Sequence, residues 1–263
     1  MKIKSKLAIL LAVLLVVPAY GAERVQLKFK NDADVFAALK PIRALKKDQY
    51  ETSVDFTKRV CAATYKVLGV DDQTPVTLGT NFGEGTISIT YDADKQAFVV
   101  QLGVAPHPIL DDNAPSEDRL MLEPDISNLT DWSVLLATRP VKVLSTYVGE
   151  NAFGVKRKIT AILQRSAVLY VDPEHMETIL SVKPEEARKL NGDLRLAIAT
   201  RIQSPCFVVG HAHKSPSLKY PYDVTMDEMG FMGEHHSEWI LYRASTKEVL
   251  KRGRFGVLDT SAQ

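Results

Sequence analysis

Cysteine is scarce in this chain: its 263 residues contain two, Cys61 and Cys206. Two are too few for a disulfide-stapled miniprotein, and with no CxxC they form neither a thioredoxin-type redox pair nor a finger-type zinc site. They can pair in an oxidising compartment or remain two small buried hydrophobes that never meet. A block of basic charge is missing as well. The 33 Lys and Arg balance 32 Asp and Glu, which leaves no electrostatic footprint for nucleic acid. GxSxG, Ser-x-x-Lys, HExxH and the EF-hand spacing are all absent, which removes the commonest sequence-legible hydrolase and calcium signatures. Apolar runs of membrane-spanning length are absent too, so the mature chain is expected to have no transmembrane segment and to be soluble.

One short apolar run is present, at the N-terminus. Lys2, Lys4 and Lys6 precede the stretch Leu7–Val17, Pro18 breaks it, and Ala19-Tyr20-Gly21 places small residues where a signal peptidase reads. Residues 1–21 are therefore expected to be a signal peptide, with the alternative of an uncleaved anchor. The expected destination is the periplasm or the extracellular space. Its removal takes three lysines and no acid, leaving a slightly acidic chain.

Along the remainder, residues 23–30 alternate apolar with polar and predict a first strand. Asp34 is a cap candidate for a short helix interrupted at Pro41. Thr52 or Ser53 can cap a second helix running to Leu68, with Phe56, Val60, Ala63 and Val67 as its buried stripe and Gly69 as its stop. From Val76 the period becomes two. Residues 86–91 and 97–102 read as a hairpin, and strands are expected at 141–148, 155–164, 194–203, 206–213, 236–243 and 248–255. A short helix fits Pro184–Leu190. The fold class expected is α+β, predominantly antiparallel β as a sheet or sandwich, with a few helices mainly near the N-terminus. The stretch 103–133 holds four prolines and seven acids against one arginine. It reads as an irregular connection, dividing an N-terminal α+β subdomain (22–137) from a β-rich one (138–263).

Histidine placement offers the clearest chemistry. His211 and His213 share one face of an expected strand, and His235 and His236 open another, with Glu234 or Asp223 able to complete a shell. Such a set of imidazoles and a carboxylate suits zinc or copper; the alternative is exposed strand-end histidines. Asp111, Asp112, Asn113, Glu117 and Asp118 could offer oxygens to calcium or form a solvated acidic loop. Gly79–Gly85 lacks a following helix and reads as a hairpin or bulge loop rather than a phosphate cradle. Asn128-Leu129-Thr130 is a glycosylation sequon, meaningful only in a eukaryotic secretory pathway.

Three patches occur together: Tyr50-Glu51-Thr52 with Phe56 and Arg59, Asn151-Ala152-Phe153-Gly154 between two strands, and Glu185-Glu186-Ala187-Arg188. In these the chain resembles a loose group of exported bacterial proteins with no assigned activity. The resemblance implies a secreted bacterial protein and supplies no catalytic residues. The function expected is an exported, non-catalytic binding or envelope-assembly protein whose partner is another envelope or secreted protein. The alternative is a secreted metal-dependent enzyme using the C-terminal histidines.

Overall fold

The computed structural model describes residues 23–80, 87–102, 121–124, 133–171 and 176–255. Residues 1–21, expected to be a signal peptide, together with most of Gly79–Gly85, the acidic run 111–118 and the sequon at Asn128, lie outside the described residues. Among those described are three helices, α1 Asp32–Arg43, α2 Ser53–Leu68 and α3 Pro184–Leu190. Twelve strands accompany them: β1 Val76–Gly79, β2 Ile87–Asp92, β3 Ala97–Leu102, β4 Met121–Glu123, β5 Ser133–Glu150, β6 Lys156–Tyr170, β7 Met176–Ser181, β8 Leu194–Thr200, β9 Ile202–Lys214, β10 Tyr222–Gly233, β11 Glu238–Arg243 and β12 Val249–Arg254. The fold is α+β and mostly β, with its two long helices near the N-terminus.

The strands form three sheets, ordered β1-β8-β11-β12, β4-β9-β10-β6-β5 and β2-β3-β7. Every pairing is antiparallel except β6 with β10, which run parallel. The division drawn at 137/138 falls inside β5. Each sheet also combines strands from both sides of it: β1 with β8, β4 with β9, β3 with β7. One large core follows from this interleaving, in which Leu39 and Ile42 of α1 and Leu68 of α2 pack with Leu78, Leu196, Ile198 and Phe231.

Local chemistry sets the helix ends. Asn31, not Asp34, caps α1: its side chain accepts from the Asp34 backbone N–H, and the helix continues through Pro41. Pro41 removes one backbone donor from the last turn, and the helix ends within three residues of it, at the C-cap Ala44. Thr52 caps α2, and Gly69 ends it in the left-handed conformation at φ 64°. The buried stripe of α2 is Val60, Thr64 and Leu68, with Ala63 and Val67 at its margin. Residues 23–30 form no regular strand. Arg24 makes an isolated bridge to Glu248, while Val25 and Leu27 pack with Ala197, Ile240 and Tyr242.

Cys61 of α2 and Cys206 of β9 are joined by a disulfide with 5.1 Å between Cα atoms. It clamps the helix layer to the five-stranded sheet. Tyr65, one turn further along α2, donates its hydroxyl to the Ile202 carbonyl at 3.2 Å.

Candidate functional site

The five-stranded sheet carries the candidate site on the face that α1 and α2 cover only in part. On β9 this face presents Phe207 and Val209, then His211 and His213 as the helices end. On β10 it presents Met229, Asp227, Thr225 and Asp223. Register places Asp227 opposite His211 on one side and Arg165 of β6 on the other. Arg139 of β5 in turn lies opposite Arg165.

Asp227 is the hub. Arg43 of α1 donates Nη2 to Oδ2 at 3.0 Å, Arg165 Nε lies 3.4 Å from the same oxygen, and His211 Nδ1 lies 2.9 Å from Oδ1. Burial alone would raise the Asp227 pKa, but the hydrogen bond and charge of Arg43, with those of His211, outweigh it and hold the carboxyl below its ordinary value. A second pair stands further out: His213 Nε2 is 2.6 Å from Asp223 Oδ1, and the Tyr147 hydroxyl donates to Asp223 Oδ2 at 2.9 Å. Hydrogen bonding to that carboxylate raises the Tyr147 pKa. On the opposite face of β10, buried Glu228 accepts from the Tyr170 hydroxyl at 2.7 Å and the Ser166 hydroxyl at 3.2 Å. Desolvation, then the Glu228 charge, push the Tyr170 pKa well above the usual tyrosine value.

The four histidines do not meet. His211 and His213 each face an aspartate. His235 and His236 are exposed in the turn between β10 and β11 rather than opening a strand. That turn begins six residues along β10 from Asp227, roughly 20 Å away at strand rise. Glu234 is engaged by Arg201 at 2.9 Å and Glu238 by Arg252 at 3.3 Å. Among the described residues no group of three or more His, Cys, Asp and Glu side chains is placed to hold a metal ion.

Two hollows flank the Asp227 hub. The larger, about 510 Å³, runs between the helices and β9, lined by Phe56, Val60, Phe207 and Val209 with Arg43 and His211 at its rim. The smaller, about 250 Å³, has Phe36 and Met229 as its floor and Lys40, Arg43, Arg139 and Arg165 as its walls.

Beyond the hub the sheet projects. The parallel ladder of β6 and β10 begins at the pair Thr160–Tyr222, whereas β5 and β6 continue pairing outward to Glu150–Lys156. The β5–β6 hairpin thus extends four residues, about 13 Å, past its neighbour before its turn. Side chains from Thr138 to Val148 are all exposed. They include Val141, Val143, Leu144, Tyr147 and Val148, joined by Val155 and by Phe153 at the tip, which is 91% exposed. The β9–β10 loop adds Leu218, Tyr220 and Tyr222 at the same end. The flanking charges are mostly positive: Lys142, Lys156, Arg157, Lys158, Lys214 and Lys219 against Glu150 and Asp223.

Two of the sequence patches acquire a structural reading here. Glu51 receives both Arg59 Nε at 2.9 Å and Nη2 at 2.7 Å, Arg59 also caps the Lys46 carbonyl, and its guanidinium lies over Phe56. The Tyr-Glu-Thr patch is therefore a latch that fixes the entry to α2. In the turn, the Asn151 side chain accepts from the Phe153 and Val155 N–H groups, and Gly154 adopts φ 77°. Asn151 and Gly154 build the turn, and Phe153 is held out in water. What reading the sequence alone missed was β10, and with it Asp227 and Glu228. The only signal was an alternation blurred by Asp227-Glu228 and by two glycines.

No family model matches the chain, and neither a curated protein nor a solved structure matches it.

Proposed function

We propose that this protein acts outside the cytoplasm as a non-catalytic binding or envelope-assembly module. The projecting β5–β6 hairpin is its contact surface. The observation that carries the reading is the row of exposed apolar side chains from Val141 to Val155, capped by Phe153. Large apolar side chains held in water along a projecting hairpin cost solubility and return nothing to the fold, so a partner that covers them is the economical explanation. Export is supported by the N-terminal signal pattern and by a disulfide of the kind that persists in oxidising compartments. No described helix is long and apolar enough to cross a membrane.

The partner is a different protein whose apolar patch has an acidic rim. A two-fold self-contact would bring the cluster of Lys142, Lys156, Arg157 and Lys158 against the same cluster of a second copy, and like charges at an interface are costly. Strand addition to β5, an edge strand, is opposed by Pro140 and by register shifts at Leu135/Ala137, Arg139/Lys142 and Val143/Ser145. Side chains rather than ladder hydrogen bonds therefore make the contact.

A photo-crosslinking residue placed singly at Val143, Val148 or Phe153, and at Glu185 on α3 as control, tests this in the native host. The expected outcome is one shared heterologous adduct from the three hairpin positions and none from Glu185. Adducts only between copies of the chain, or an equal spread from Glu185, would overturn it.

A further inference from the structure

The 250 Å³ hollow beside Asp227 is a separate feature, and nothing in the hairpin reading uses it. Four basic side chains from three elements converge there: Lys40 and Arg43 from successive turns of α1, Arg139 from β5 and Arg165 from β6. Arg139 and Arg165 stand directly opposite each other across the antiparallel pair. Like charges in that position destabilise a sheet, and adding two more cations from the helix above increases the cost. No carboxylate lines the hollow among the described residues. Asp227 sits behind it, holding Arg43 and Arg165 by their inner edges. Arg139 is held differently, with its guanidinium 4.6 Å from the centroid of the Phe36 ring. The result is a set of guanidinium groups oriented by Asp227 and Phe36, with further N–H groups left to bind something else.

We propose that this hollow binds a phosphate group carried on a small body, a phosphomonoester in its simplest form. Three arginines favour it over a point-charge site, because the guanidinium fork matches tetrahedral oxyanions with paired hydrogen bonds. The excess of positive charge favours a ligand nearer −2 than −1, and a phosphomonoester supplies that with three strong acceptor oxygens. The volume exceeds that of the anion alone, so the attached body rests on Phe36 and Met229, which form an apolar floor. The phosphate can come from a soluble metabolite or from a lipid headgroup; the recognising chemistry is the same.

Calorimetric titration of the full mature protein with inorganic phosphate, with glycerol phosphate, and with vesicles of phosphatidic acid or phosphatidylcholine tests it. The variant is Lys40→Gln/Arg139→Gln. Both side chains are exposed and neither touches Asp227, so the fold should persist, and a melting temperature no lower than that of the wild type confirms it. The expected result is binding of at least one phosphate-bearing probe, weakened tenfold or more in the variant and reduced steeply by salt. Binding of the soluble ester identifies a metabolite; binding of phosphatidic acid vesicles alone identifies a headgroup. No heat with any phosphate probe at millimolar concentration, or equal affinity in the variant, overturns the proposal. A Val148→Glu/Phe153→Ser variant should bind as wild type does, so failure of the hairpin reading and failure of this one are distinguishable.

Discussion

Reduction of the Cys61–Cys206 bond is expected to lower the unfolding free energy by about 3–5 kcal/mol. The two positions are 145 residues apart. In the chain-entropy relation a loop of that size removes about 17 cal/mol/K from the unfolded ensemble, about 5 kcal/mol at 25 °C. Residual structure in the unfolded chain lowers the effect, hence the range. The native state should survive, because α2 stays anchored through Val60 and Leu68 in the core and through the Tyr65 hydroxyl on Ile202. For a domain of this size the loss corresponds to a drop of about 6–20 °C in Tm. Urea unfolding of oxidised protein, and of protein reduced while unfolded and then refolded with reductant, measures it directly. Unfolding free energies that agree within about 0.5 kcal/mol would refute this expectation, as would two free thiols in protein isolated from the native host without reductant.

Two further outcomes follow from the sheet. Gly230→Ala should destabilise by about 1–3 kcal/mol, since its Cβ would strike the Val168 carbonyl, a backbone atom that cannot swing aside; chemical denaturation reads this. Asp227→Asn should flatten the acid limb of stability. The folded carboxyl titrates below its unfolded value, so its contribution is present above the unfolded pKa and lost as pH falls through the folded one. Melting curves from neutral to acid pH should show wild type converging on the variant at low pH; a gap constant with pH would contradict the assignment.

Much of the fold is legible in the sequence where local rules act alone. The α2 helix announces itself through Thr52, Gly69 and a 3.6-residue stripe, and Asn151 with Gly154 marks the longest hairpin. Elements fixed by non-local packing are harder to read. β10 is the central strand of its sheet, yet Gly230 and Gly233 interrupt its alternation because neighbouring chain passes too close for a side chain. Residues 23–30 alternate as a strand would, but only Arg24 finds a bridging partner. The Asp227 hub was out of reach for the same reason: Arg43 lies 184 residues from Asp227 and Arg165 lies 62 away, so no spacing rule unites them. The histidines illustrate the reverse case, a conspicuous pattern that the topology separates, with His211 and His213 on the open sheet face and His235 and His236 at the other end of β10.

Val148 and Phe153 on the projecting hairpin stand mostly in water, which makes the decisive measurement simple. Native gel electrophoresis of gently solubilised envelope extract compares the wild-type protein with Val148→Glu/Phe153→Ser. Both positions are mostly in water, so the variant should melt as wild type does. Losing two anchors of an apolar contact should weaken it by about 2 kcal/mol or more each. A wild-type band well above the monomer and a variant band at the monomer are expected. Identical migration of the two, as complex or as monomer, would contradict the hairpin reading.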